Sequence, residues 1–263
     1  MPSHHDFYTL RKPAFDVRPG RGPVLATGPL RDTLAWIVRR IESDAPLLCI
    51  TGDAGIGRSS VARVLPGRLA SHCRVARLKD PSRSWAELRL SVADQLVLDQ
   101  GLCRDSLLGA RSQGDRVVLV LDAAERAPVE LLSHLDELLD LRGPARERLV
   151  QAVVFARTAG EADPVGAPLW KWLVERRALC RELPPLSPSE IPGYVRKRVE
   201  QAGRRAPLFS ESACLVVHRH SRGVPRRVNE VCEALLREGE RRGVQQIDAY
   251  LAAQTVAGWR ALR

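Results

Sequence analysis

Residues 46–60 read PLLCITGDAGIGRSS, and this stretch decides the fold. Pro46 to Thr51 is a short apolar run with the length of a buried strand. It stops at a glycine-rich turn, and Ser59 to Leu69 then places Val61, Val64 and Leu65 at helical spacing. Strand, glycine loop and helix form the context that turns such a loop into a phosphate-binding site. The spacing is GxxxxG followed by a basic residue and a hydroxyl, with Arg58 standing where lysine belongs. Gly52, Gly55 and Gly57 allow the positive φ angles that turn N–H groups toward phosphate oxygens. The helix start adds its partial positive charge. Gly52, Asp53, Ala54, Gly55, Ile56, Gly57, Arg58, Ser59 and Ser60 are therefore candidate residues for ATP or ADP. Ser59 is also a candidate Mg²⁺ ligand through its hydroxyl. The competing reading is a glycine turn without a ligand.

Arg58 separates this loop from an ordinary one. Lysine reaches phosphates as a compact point charge, whereas arginine is longer, planar and suited to bidentate contacts. Either Arg58 holds a phosphate in a different geometry, or the site is simply weakened.

Downstream, Arg116 to Leu121 reads RVVLVL and is followed by Asp122. An unbroken apolar run fits a parallel strand buried on both faces. Its carboxylate would stand at the sheet's carboxyl edge and hold Mg²⁺ through water, making Asp122 a candidate metal and catalytic residue. The next residue is Ala123, so no carboxylate follows to activate water. Loss of a general base costs about 10² to 10⁴ in rate. Glu125 is either a substitute base or a solvated acid at the start of the next turn.

Further apolar segments complete an alternating pattern. Thr33–Ile41 reads as a helix, Cys73–Leu78 as a strand, Trp85–Leu98 as a helix, Pro128–Leu141 as a helix and Leu149–Phe155 as a strand. Alternation of this kind implies βαβ units and a parallel sheet. After Pro184-Pro185 the character changes to helices at about 188–202, 210–221, 225–242 and 247–260. Ser187-Pro188-Ser189-Glu190 has the form of a capping box. Three regions follow: an extended arm over 1–30, an α/β nucleotide-binding core over 31–185, and a helical lid over 186–263. The fold class is thus α/β, a three-layer parallel-sheet P-loop NTPase with a small all-helical C-terminal domain.

Composition narrows the partners. The formal net charge is +10, and four lysines leave 37 of the 41 basic residues as arginine. Residues 186–263 hold 14 Lys and Arg against 8 Asp and Glu, a net of +6. Such a balance suits nucleic acid, acidic lipid, an acidic protein or merely a solvated surface. The six cysteines form no CxxC pair, which removes zinc-ribbon and thioredoxin readings. Their usage, and an N-terminus without an apolar signal segment, lead to the expectation of a cytoplasmic protein. His218 and His220 are two apart on a helix and lack a third ligand, so no metal site is expected there. His4-His5 lies in the arm, where it reads as incidental.

Taken in order, YTLRKPAFDVRPG, the phosphate loop, VVLVLDAAERAP, LVQAVVFA, LPPLSPSE and SRGVPRRVNEVC resemble a known family. They look like the AAA+ ATPases of the general (type II) secretion pathway protein A family, which are related to helper ATPases of transposition. The resemblance spans roughly residues 7–255. It implies Mg²⁺ with ATP or ADP, a homo-oligomer or a hetero-oligomer with other AAA+ subunits, and a secretion or membrane partner. The family shows Lys at 58, Glu at 123 and a polar glutamine near 157, where this chain has Arg58, Ala123 and Arg157. The motif GVPR, at Gly223-Val224-Pro225-Arg226, implies Arg226 as the sensor-2 arginine of the lid. Alignment of Glu175-Arg176-Arg177 with the family's QRI makes Arg176 a candidate arginine finger. Family members continue into a transmembrane helix and a periplasmic part; this sequence shows neither, so a membrane partner or a different system is expected. Three functions follow: an accessory or regulator of secretion or envelope assembly with weak or absent hydrolysis, a DNA-binding target-capture helper, or a catalytically dead scaffold paired with an active paralogue.

Overall fold

A computed structural model of the chain describes residues 4–16, 23–158 and 166–260. The described residues fall into two compact units. One comprises Asp32–Ala54 and Arg58–Leu183; the other comprises the chain up to Arg31, Gly55–Gly57 and Pro184 onward. No helix among the described residues is long and apolar enough to cross a membrane.

The first chain elements are α1 (His4–Phe7) and α2 (Gly28–Glu42), which precede β1 (Leu47–Gly52). The α/β unit continues through α3 (Arg58–Val64), β2 (Cys73–Leu78), α4 (Trp85–Leu96), α5 (Arg104–Ser112), β3 (Arg116–Leu121), α6 (Val129–Asp140), β4 (Val150–Arg157), α7 (Ala167–Glu175) and β5 (Leu179–Glu182). All five strands are parallel in the order β2-β3-β4-β1-β5. The period of two along each strand divides the core into two faces. Leu47, Cys49, Val117, Leu119, Leu121, Val150, Ala152 and Val154 pack into one apolar cluster with residues of α4, α5, α6 and α7. The alternate residues, among them Leu48, Ile50, Val118, Val120, Val153 and Phe155, are just as buried but lie outside that cluster.

Gln151 is the polar exception in β4, only 3% exposed. Its Nε2 donates to the Ile41 carbonyl at 3.1 Å and the Ala45 carbonyl at 2.9 Å. It thereby satisfies acceptors at the end of α2 that no helical N–H reaches. The bond also fixes α2 on the sheet face opposite the α4–α7 cluster, giving three layers.

The helical unit contains α8 (Ile191–Gln201), α9 (Glu211–Ser221), α10 (Pro225–Arg241) and α11 (Ala249–Arg260). Val195, Val199, Val217, Val228, Leu235, Leu236 and Leu251 share one core with Tyr8, Leu10 and Phe15.

Several elements differ from the sequence reading. α5, α7 and β5 were not anticipated, because each is short and β5 is largely exposed. The helix after the phosphate loop ends at Val64, and Leu65–Arg68 tighten into a 3₁₀ turn at Pro66. The box at 187–190 closes, with Ser187 N donating to Glu190 Oε2 at 2.9 Å, but as a turn; α8 starts only at Ile191. Where described, the arm is not extended throughout. His4–Phe7 form one helical turn, and Tyr8 and Phe15 are fully buried, since an aromatic ring gains more from the core than from water. The remainder of the arm at 1–3 and 17–22 lies outside the described residues.

Candidate phosphate-binding site

β1 delivers its last residue, Gly52, to the carboxyl edge of the sheet between β4 and β5. The loop from Asp53 to Gly57 then turns into α3 at Arg58. Gly55 and Gly57 have φ of +84° and +115°, conformations that a side chain would strain. Asp53 and Ala54 are exposed and Ile56 is buried, so the loop is anchored by one apolar side chain. Ser59 and Ser60 occupy the first turn of α3.

Asp122 follows β3 directly and is 8% exposed. Its Oδ1 accepts from Ser59 Oγ at 2.9 Å and from the Ala123 N–H at 3.1 Å. Cis ligands of an octahedral Mg²⁺, bound at about 2.1 Å, lie about 3 Å apart. The Ser59 and Asp122 oxygens therefore fit adjacent positions around that ion. The opposing feature is Arg77, whose Nη2 lies 2.9 Å from Asp122 Oδ2. It comes from β2, where Leu78 pairs with Leu121 in register. Sequence reasoning missed this cation; its signal is an arginine one residue short of the end of a strand that borders β3.

Arg58 does not project freely. Its Nη1 donates to the carbonyls of Gly52 and Ala156, the latter at 2.9 Å, bridging the ends of β1 and β4. Burial pulls its pKa below the ordinary guanidinium value; Glu125 opposes that shift, Arg157 adds to it, and Asp122 and Asp53 oppose it. Glu125 is itself buried, in a 3₁₀ turn over Ala124–Arg126, and is not a solvated acid. Its Oε2 accepts from the Arg157 N–H at 3.1 Å. Ala123, between Asp122 and that turn, has a left-handed backbone with φ 54° and ψ 44°. The Arg157 side chain ends β4 and is exposed. A half-buried cation, a buried carboxylate and the Asp122–Ser59 pair thus lie at one edge of the sheet.

Residues 39–163 match the family model described as AAA domain. Among solved structures, the ORC2 protein of Aeropyrum pernix (ADPNP-ADP complexes) superposes with a TM-score of 0.62 at 15% identity, covering 94% of this chain and 71% of that one. CDC6P from Pyrobaculum aerophilum gives 0.60 at 17% identity, covering 89% and 67%. The fold is that of a P-loop AAA+ ATPase. General secretion pathway protein A of Aeromonas hydrophila is 28% identical over 267 residues, which include 97% of this chain and 48% of the relative. The chain thus spans about half the length of that secretion protein and is similar to it over 97% of its own length.

Two further candidate residues of the sequence reading lie on other elements. Arg226 stands in the first turn of α10, in the helical unit. Its N–H donates to the Gly55 carbonyl at 3.2 Å, and its Nε pairs with Glu230 Oε1 at 3.1 Å. A Cβ on Gly55 would lie 2.6 Å from Arg226 Cβ, so that loop position must be glycine here. Gly223 of the GVPR motif has φ +72°, and a Cβ there would meet the Leu186 carbonyl at 2.1 Å. Arg176, at the C-terminus of α7, is already engaged. Its Nε lies 2.6 Å from Asp136 Oδ1, and Nη1 and Nη2 bind both oxygens of Asp140 at 2.5 and 2.8 Å. These contacts push the Arg176 pKa up, the Asp140 bond most, and the pair holds Asp140 below the ordinary carboxylate range.

Proposed function

We propose that this AAA+ protein binds ATP or ADP with Mg²⁺ at the 52–60 loop, hydrolyses it weakly or not at all, and acts as an accessory or regulator of secretion or envelope assembly. The observation that carries the proposal is the split state of the site. Its metal-binding pair, Ser59 and Asp122, is in bonding distance, while Arg58 is committed to two main-chain carbonyls. A bound Mg²⁺ would supply positive charge to offset that of the phosphates. Ser59 and Asp122 would hold it, the loop amides would orient the phosphates, and Arg226 is a further candidate cation. No carboxylate at position 123 accepts a proton from water. Glu125 is the substitute base, provided it can leave the Arg157 amide. Arg176 would act as a finger on a neighbouring subunit only after giving up Asp136 and Asp140, so an intrachain clamp is its better-supported role.

The secretion context rests on similarity to general secretion pathway protein A, over about half of that protein's length. Calorimetric titration with ATP and Mg²⁺ tests the core of the proposal. We expect binding in the micromolar range or weaker, about −8 kcal/mol at best, and its loss in Asp122→Ala. Equal affinity in that variant would refute the assignment of the site.

A second reading is favoured by one observation, the net charge of +6 over residues 186–263. It makes the chain a DNA-binding helper of the target-capture type. Duplex binding at low salt that falls steeply as salt rises supports it. Absence of binding at low salt removes it.

A further inference from the structure

The arm contains two adjacent histidines that the nucleotide site does not use. Its backbone beneath them is well held: the Leu10 N–H donates to the His5 carbonyl at 2.8 Å, and Arg204 Nη1 donates to the Tyr8 carbonyl at 2.9 Å. The fully buried Tyr8 donates its hydroxyl proton to the Val244 carbonyl at 2.9 Å. The turn α1 thereby rests against α10, and Glu233 on α10 faces the imidazoles. The Nε2 of His4 lies 2.8 Å from Glu233 Oε1, with the two side chains 12% and 20% exposed.

The ring nitrogen and the carboxylate are thus already within contact distance. The second oxygen, Glu233 Oε2, is buried with no hydrogen-bond partner. A buried acceptor left unsatisfied is costly, and a cation placed there would satisfy it. One ligand atom each from His4, His5 and Glu233 lies within 4.8 Å of the others. A tetrahedral ion bound at about 2.1 Å spreads its ligands about 3.4 Å apart. The observed set brackets that spacing, so small side-chain rotations suffice to close it. Arg237 is a competing cation; its Nη2 bonds Glu233 Oε1 at 3.3 Å and leaves Oε2 to the metal.

We propose that His4, His5 and Glu233 form a binding site for a divalent transition-metal ion of the zinc class, which ties the N-terminal arm to α10. Two imidazoles and one carboxylate suit Zn²⁺, Co²⁺ or Ni²⁺ rather than Mg²⁺ or Ca²⁺, which prefer oxygen ligands. Three protein ligands leave a fourth position for water or a partner's side chain. The site is distant in sequence from the loop at 52–60 and does not depend on nucleotide.

The test is titration of the metal-stripped full chain with Zn²⁺ by calorimetry and with Co²⁺ by absorbance, both without nucleotide. We expect one equivalent bound, a cobalt spectrum without thiolate charge transfer, and a rise in Tm on metal addition. His5→Gln should abolish all three while leaving the metal-free melting curve unchanged, and Glu233→Gln should do the same. A His218→Gln/His220→Gln variant should bind like wild type. Should Glu233→Gln fail to fold, the partly exposed His5 still decides the matter. The proposal is overturned if wild type binds no metal, if His5→Gln binds it equally well, or if thiolate bands show that cysteines hold the ion.

Discussion

Arg58 ties two neighbouring strands together through a single guanidinium nitrogen. A lysine at this position has one compact charge and a short reach, and would leave at least one of those carbonyls to water. The arginine therefore strengthens the end of the sheet while drawing the loop's only cation inward. Ala123 compounds the change, because no side chain of its size moves a proton. Arg77 acts on the other half of the site. By holding Asp122 Oδ2 it opposes the approach of a divalent ion, even though Oδ1 and Ser59 are well placed for one. Arg77→Met should accordingly sharpen the Mg²⁺ dependence of nucleotide binding. Releasing a partly exposed pair worth roughly 1 kcal/mol corresponds to about fivefold in affinity. Calorimetry with and without Mg²⁺ measures it, and weaker Mg²⁺-dependent binding in the variant would show that Arg77 supports the site.

At the scale of elements, β1 and β3, which position the site, are almost wholly apolar and buried. β2 also has the bounds read from the sequence, although CRVARL carries two arginines and is only partly covered. β5 was not legible, since LCRE is short and mostly exposed, and its register beside β1 is set by partners rather than by its own pattern. The loop's glycines and Asp122 were legible because chemistry restricts those positions to few residue types. Arg77 and the buried Glu125 were not, as either looks like a surface charge until the sheet brings its neighbour close. Gln151 belongs with them: a polar residue inside QAVVFA whose reason is the end of α2. Gln151→Leu should leave the Ala45 carbonyl unsatisfied, while Ile41 keeps the Asp44 N–H and Arg116 Nη1, and destabilise the α/β unit by about 1–3 kcal/mol. Urea denaturation tests this; a variant as stable as wild type would mean that water replaces the amide.

For the whole molecule, the candidate residues divide between the two units. The α/β unit holds Arg58, Ser59, Asp122 and Glu125, while the other unit holds Arg226 and most of the excess positive charge. Similarity to general secretion pathway protein A extends through both units, so the residues at 58, 123 and 157 lie inside the matched stretch. Under the proposed function, Ala123 and Arg157 would weaken hydrolysis, and Arg58 would alter the phosphate loop itself. The decisive measurement is steady-state ATP turnover by the wild-type chain beside Arg58→Lys/Ala123→Glu. Restoring a base and a compact cation should raise turnover by about 10² or more from a wild-type rate near background. Brisk turnover by the wild type, unchanged in the double variant, would contradict the account.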